Sequence, residues 1–158
     1  MLQQGIEEAR RIGMDLRPSI LDDLGILATL GWFCREFQKI YSGISLEKQV
    51  DIQENDVPDL LKTVIYRVFQ EAMHNIAKHS NADFVSISLK RVRERIELLV
   101  RDNGRGFDLK ETLSNEGPRR GLGLSSMRER TELSSGHLTI ESTKGGGTTI
   151  RASWPCDS

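Results

Sequence analysis

The stretch DNGRGF, Asp102 to Phe107, closes an apolar run, Ile96-Glu97-Leu98-Leu99-Val100, and closes it abruptly. An acid, an amide and two glycines stand where a strand ends. Glycine lets the chain turn tightly or lets a flat ligand come close to the backbone. A carboxylate at that point can accept a hydrogen bond from an exocyclic amine such as that of adenine. Taken alone, Asp-Asn-Gly is more often a hairpin turn, so its meaning depends on what surrounds it.

Upstream, Asp59 to His79 reads as a strong helix, with Pro58 suited to its first turn. At about 100° per residue, Leu61, Ile65, Val68, Phe69, Ala72 and Ile76 form one apolar face. Glu71 and Asn75 lie one above the other, four residues apart, on the flank of that face. An acid and an amide at a core edge need partners, since burying either unpaired costs ~1–3 kcal/mol. A local network with backbone groups would satisfy them equally well. His74 falls on the polar side and reads as solvated, and His79 near the helix end suits a C-cap.

Downstream, Gly121-Leu122-Gly123-Leu124 precedes a helical stretch, Ser125 to Ser134. A glycine loop feeding a helix N-terminus offers free N–H groups and a positive dipole end to phosphate. Lys144-Gly145-Gly146-Gly147-Thr148 makes a tight turn between two final strands, His137–Thr143 and Thr148–Trp154. Ala82–Lys90 and Arg95–Arg101 alternate as strands, Ile44–Val50 fits an edge strand, and residues 104–120 are polar and irregular. Residues 5 to about 42 read as helix, with Ile12, Leu16, Ile20, Leu24, Leu27 and Leu30 on helical spacing and Pro18 as the expected kink or restart. Helices alternating with antiparallel hairpins predict a two-layer α/β sandwich, a mixed, mostly antiparallel sheet covered on one face by helices, preceded by an N-terminal helix.

The composition narrows the function. The 158 residues carry 22 basic and 23 acidic side chains, a net charge of −1, which argues against a nucleic-acid partner. No apolar run is long enough to cross a bilayer and no signal-peptide pattern opens the chain. No membrane contact is therefore expected from this segment, and cytoplasmic placement is expected, with any membrane attachment lying elsewhere in a longer parent. Cys34 and Cys156 are far apart, without metal-ligand spacing, and read as two reduced thiols.

In this order the motifs resemble those of the GHKL ATPase superfamily, which holds histidine kinases, type II topoisomerases, heat-shock ATPases and mismatch-repair ATPases. FQEAMHNIAKHSNA, residues 69–82, is similar to the N box, DNGRGF to the first glycine box, GLGL to the second, and GGGTTI, residues 145–150, to the last. The likeness covers residues 44 to 155. LRPSILDDLGILATL, residues 16–30, further resembles the second helix of the dimerisation and phosphotransfer hairpin of nitrate/nitrite-sensor-like sensor kinases, and residues 123–155 resemble the C-terminal half of the same subfamily. The implied organisation is a partial hairpin helix over 1–43 and an ATP-binding catalytic domain over 44–158.

The resemblance implies ATP and Mg²⁺ as cofactors, with roles residue by residue. Asn75 would ligate Mg²⁺, and Glu71 would sit beside the metal or orient a water. Asp102 would accept the adenine amine, with Gly104 and Gly106 letting the base lie close. Gly121, Leu122, Gly123 and Leu124 would wrap the phosphates, Thr148 would reach the adenine side, and Lys78 and His79 would touch phosphate. Residues 107–120, with Lys110, Arg119 and Arg120, would form a lid. The implied function is the catalytic part of a two-component sensor histidine kinase. It passes the γ-phosphate to a histidine for relay to a response regulator, and pairs with a second kinase subunit. In this subfamily the phosphoacceptor lies on the hairpin's first helix. The stretch before residue 16 is too short for that helix, and the three histidines, His74, His79 and His137, lie elsewhere. The chain is therefore expected to bind ATP without labelling itself on histidine. A GHKL-fold ATPase or protein-serine kinase, or a nucleotide-binding docking module without turnover, are the alternatives.

Overall fold

The computed structural model describes residues 19–107 and 118–156, with side chains of the last helix from Gly123 onward. The elements run α1 (Ser19–Leu24), α2 (Ile26–Ile40), β1 (Ser45–Asp51), a 3₁₀ turn (Glu54–Asp56), α3 (Asp59–Asn75) ending in a π-turn (Ile76–Ser80), β2 (Phe84–Val92), β3 (Arg95–Asp102), α4 (Pro118–Leu133), β4 (His137–Ser142) and β5 (Thr148–Pro155). The five strands form one sheet in the order β1-β2-β3-β5-β4. Strand β1 pairs parallel with β2, and every other pairing is antiparallel. The expected two-layer sandwich with an edge strand at 44–50 is what forms.

Period-two alternation decides which face is covered. Val85, Ile87 and Leu89 on β2, Ile96, Leu98 and Val100 on β3, Leu138 and Ile140 on β4, and Ile150, Ala152 and Trp154 on β5 are all buried. They meet Ile65, Tyr66, Val68, Phe69, Ala72 and Met73 of α3 and Leu124 and Met127 of α4 in one core. The opposite face is polar, with Arg151 Nε 3.8 Å from Glu97 Oε1 across the strands. Helix α2 belongs to the same core. Phe33 stacks on Phe37 and meets Phe69 edge-on with centroids 5.0 Å apart. Burial pushes the Cys34 thiol of this helix up to about 11, against the opposing pull of Lys48 and Arg35, so it stays protonated and inert.

Three boundaries depart from the sequence expectation. The N-terminal helical pattern breaks at Gly25, whose φ is +92°, whereas Pro18 lies outside the described residues. This break changes the helical phase. Leu24, expected on the apolar face, is exposed; Leu30 is buried as expected, and Leu21, Ile26 and Phe33, which were not on that face, are buried with it. Pro58 is the N-cap of α3 and not a residue of its first turn. Helix α4 begins at Pro118, seven residues before the expected Ser125, so GLGL lies inside a helix and not in a loop before one. Pro118 supplies the preset first-turn φ. Tertiary contact then overrides the helix penalty of about 1 kcal/mol per glycine.

Candidate functional site

Two polar positions continue the buried rows of the sheet. After Ile96, Leu98 and Val100, the next residue of β3 on the covered face is Asp102, and Thr148 precedes Ile150 on β5 in the same way. Both are buried. They stand directly opposite each other, Asp102 against Thr148, and Thr148 stands opposite Ser142 of β4. A row of three polar side chains, Asp102, Thr148 and Ser142, thus crosses the sheet where its apolar core stops.

DNGRGF is fixed by its neighbours on every side. Asp102 Oδ1 accepts the Gly104 N–H at 2.8 Å. Asn103 Oδ1 accepts the N–H groups of Asp83 and Phe84, both at 3.1 Å, and its Nδ2 donates to Asp83 Oδ1 at 2.7 Å. Arg105 N donates to the Ser80 carbonyl at 2.7 Å, and Arg105 Nε to the His79 carbonyl at 2.6 Å. The Arg105 carbonyl accepts the Gly145 N–H at 2.5 Å. The loop is therefore tied both to the end of α3 and to the GGGT turn, which brings three of the sequence motifs together.

The glycines of this loop are needed for a reason different from the expected one. A Cβ on Gly104 would run into the Ser80 carbonyl oxygen, and one on Gly106, whose φ is +62°, into that of Thr143. Their bare sides are filled by protein backbone and not left open for a flat base. Gly147, φ +75°, likewise lies against the Asp102 carbonyl.

Helix α3 delivers the second cluster. Its last turn is a π-turn that ends in left-handed Asn81, φ 53°, with Ser80 Oγ bonded to the Ile76 carbonyl at 2.8 Å. Turns of this kind concentrate at functional sites. Glu71 and Asn75 are half-buried and face α4. A Cβ on Gly123 would come within 2.5 Å of Glu71 Oε1 and 3.8 Å of Asn75 Oδ1. Gly123 is thus where α4 lets an acid and an amide converge beneath it. As helix-interior residues, Gly123 and Leu124 use their N–H groups within the helix, so the expected free donors are not found there. Leu124 is a core residue. Gly121 and Leu122 lie in the first turns of α4, where the backbone alone is described; so do Arg119 and Arg120, while Lys110 and the stretch 108–117 fall outside the described residues.

Asn75 has an unusual environment. Its Nδ2 is buried and has no hydrogen-bond partner, the one such side-chain atom among the described residues. The Asn75 amide thus carries a polar atom that no group of the protein satisfies. Hard oxygens from one amide and one acid suit Mg²⁺, which commonly takes one or two protein ligands and completes its octahedron with phosphates and water. Among the described residues no group of three His, Cys, Asp or Glu side chains could hold a metal by itself.

The remaining expected residues are more peripheral. Lys78 is exposed on the π-turn and His79 is half-buried there. His74, expected to be solvated, places Nδ1 3.6 Å from Glu71 Oε2 and is only partly exposed. Sequence reasoning missed Ser80, Arg105 and Ser142. Ser142 was recoverable from the register of the last hairpin, where it faces Thr148.

The chain is thus an open α/β sandwich with an acid at a central strand end and an Asn on the covering helix. Residues 61–158 match the family model described as histidine kinase-, DNA gyrase B-, and HSP90-like ATPase, and the chain belongs to that family. It is 33% identical over 155 residues to the signal transduction histidine-protein kinase/phosphatase DegS of Brevibacillus brevis, covering 98% of this chain and 39% of that protein. It is 39% identical over 159 residues to the sensor histidine kinase MctS of Rhizobium johnstonii, covering 98% of this chain and 32% of that protein. Among solved structures, the blue-light activated histidine kinase of Erythrobacter litoralis superposes with a TM-score of 0.69 at 22% identity, over 83% of this chain and 42% of that one, a likeness of fold. The chain spans about a third to two-fifths of the length of the curated relatives named here.

Proposed function

We propose that this chain is the catalytic, ATP-binding part of a two-component sensor histidine kinase, acting in the cytoplasm on Mg²⁺-ATP and transferring the γ-phosphate to a histidine for relay to a response regulator. The observation that carries it is the presence in one fold of a buried carboxylate at the end of β3 and of a buried amide nitrogen without a partner, Asn75 Nδ2, on α3. Similarity to histidine kinases across nearly the whole chain supports kinase over simple ATPase.

In this reading Asp102 and Thr148 hold the adenine. Asn75 ligates Mg²⁺ with Glu71 close by, and the metal supplies charge neutralisation on the phosphates. Gly121 and Gly123 keep the first turns of α4 free of side chains beside Glu71 and Asn75, at the phosphate end. Lys78 and His79 stand near the same end. Phosphoryl transfer asks the protein chiefly for positioning and charge stabilisation. The rigid loop around Asp102 and the helix pair around Glu71 provide both.

The acceptor histidine is assigned to another helix, in the longer parent or in a second kinase subunit of a homodimer. His74 lies beside Glu71, His79 on the π-turn and His137 at the start of β4, and none of them is on the helical segment that resembles the phosphotransfer hairpin. Helix α2 lies on the hairpin side of the boundary at 43/44 expected from the sequence, yet it packs on the sheet-and-helix core, so we move the working junction of the two parts to the break at Gly25.

The test is phosphotransfer. The chain is incubated with labelled ATP and Mg²⁺, with and without a partner chain carrying the hairpin's first helix. Acid-labile, base-stable label should appear on the partner's histidine alone. Steady ATP hydrolysis with no label on any histidine would favour the ATPase alternative.

A further inference from the structure

Resting on the placement of adenine at Asp102 and Thr148, we propose that Ser142 is a positioning residue for base recognition: it sets the direction of the Thr148 hydroxyl, so that Thr148 meets the base as a hydrogen-bond acceptor beside Asp102. Ser142 Oγ lies at a junction of three groups. The Phe107 N–H reaches it at 2.9 Å, the Gly147 carbonyl lies at 3.2 Å, and Thr148 Oγ1 at 2.8 Å.

A hydroxyl has one hydrogen and two acceptor lone pairs. The Phe107 N–H can only donate, so it occupies one lone pair of Ser142. The Gly147 carbonyl can only accept, so it takes the Ser142 hydrogen. A single lone pair remains for Thr148, and the Thr148 hydroxyl must donate into it. Its proton is thereby used within the protein, and its oxygen presents lone pairs alone.

Thr148 and Asp102 are cross-strand partners on the covered face, and directly opposed side chains lie about 5 Å apart at Cβ. Two neighbouring acceptors suit the edge of a 6-aminopurine, whose exocyclic amine donates. With both aimed at the 6-position, a 6-oxopurine sets an acceptor oxygen where the 6-aminopurine sets a donor. Ser142 touches no base in this arrangement and acts through Thr148. By holding the Phe107 N–H it also fixes the last residue of DNGRGF, where the chain leaves the adenine end.

The experiment is calorimetric titration of the full chain with Mg²⁺-ATP and Mg²⁺-GTP, read as the ratio of the two affinities. Ser142→Ala frees the Thr148 proton, and ATP affinity should fall roughly 3- to 10-fold, the effect of one hydrogen bond. The ATP/GTP ratio should fall with it. Ser142→Thr, which keeps the hydroxyl, should restore the ratio. In a Thr148→Val background, Ser142→Ala should change the ratio no further, because a residue acting through another gives a non-additive cycle. An unchanged ratio in Ser142→Ala, or effects that simply multiply in the double variant, overturns the proposal. Should Ser142→Ala fail to fold, Thr148→Val alone must lower the ratio, and an unchanged ratio there overturns it equally. Loss of the nucleotide assignment has a different signature: no ATP binding by the unaltered chain, or unaltered ATP affinity in Asp102→Ala.

Discussion

Glu71 and Gly123 share one space: the Glu71 carboxylate lies where a side chain on Gly123 would begin, with Oε1 2.5 Å from that Cβ position. The atom in the way is the far end of a flexible side chain, so it can move. Gly123→Ala should therefore keep or slightly raise thermal stability, because alanine favours a helix interior over glycine by about 1 kcal/mol. The displaced carboxylate should lower phosphotransfer. Thermal melts of the variant, and phosphotransfer assays with the partner chain that carries the hairpin's first helix, check both, and a destabilised variant with normal activity would contradict the geometry.

Asn75→Ala should likewise separate stability from function. The variant removes a buried amide nitrogen that has no partner, and such an atom costs ~1–3 kcal/mol in the folded state. Denaturant unfolding should show the variant at least as stable as the unaltered chain. Titrations with and without Mg²⁺ should show that the metal-dependent part of ATP affinity is lost while the metal-independent part stays. Equal loss in both conditions would remove Asn75 from the metal.

The break at Gly25 gives a pH-dependent prediction. Glu54 caps α2, accepting the N–H groups of Ile26 and Leu27 at 3.0 Å each, with Lys62 Nζ 3.0 Å from the same carboxylate. Burial pushes the Glu54 carboxyl up, but the Leu27 N–H, Lys62 and the Ile26 N–H outweigh it and hold it below its ordinary 4.5. A lowered carboxyl stabilises the fold fully above that ordinary value, and the contribution is lost as pH falls through the lowered one. Lys62 is raised above 10.5, chiefly by its hydrogen bond to Glu54. Its contribution is full below that value and is lost as pH rises through the raised one. Glu54→Ala should cost about 0.5–2 kcal/mol at neutral pH, the range for losing a helix cap. The cost should shrink below pH 4.5. A pH-independent difference in unfolding free energy would show that the cap is not ionic.

Much of this was legible in the sequence because local pattern and final structure agree. The alternation of strands β2 to β5 and the apolar stripe of α3 follow directly from period. Asp102 and Thr148 were legible as chemistry at strand ends. The start of α4 was not, because two glycines in GLGL read locally as a loop, whereas the helix packs into the common core through Leu124 and Met127. The glycines at 104 and 106 were recognised as special, yet the reason is long-range: backbone carbonyls of Ser80 and Thr143 occupy the side-chain space. The Gly25 break had a local mark in the glycine itself, whereas the Glu54 carboxylate that caps α2 there comes from far along the chain.

The central claim is that Asp102 holds the adenine of ATP. Calorimetry with ATP and with AMP on the unaltered chain and on Asp102→Ala tests it most directly. Losing a hydrogen bond to a charged acceptor costs roughly 1.5–3 kcal/mol, so affinity should fall ten- to a hundredfold. The fall should be the same for both nucleotides, since both would use the same base contact. ATP and AMP affinities left unchanged by Asp102→Ala would contradict the account.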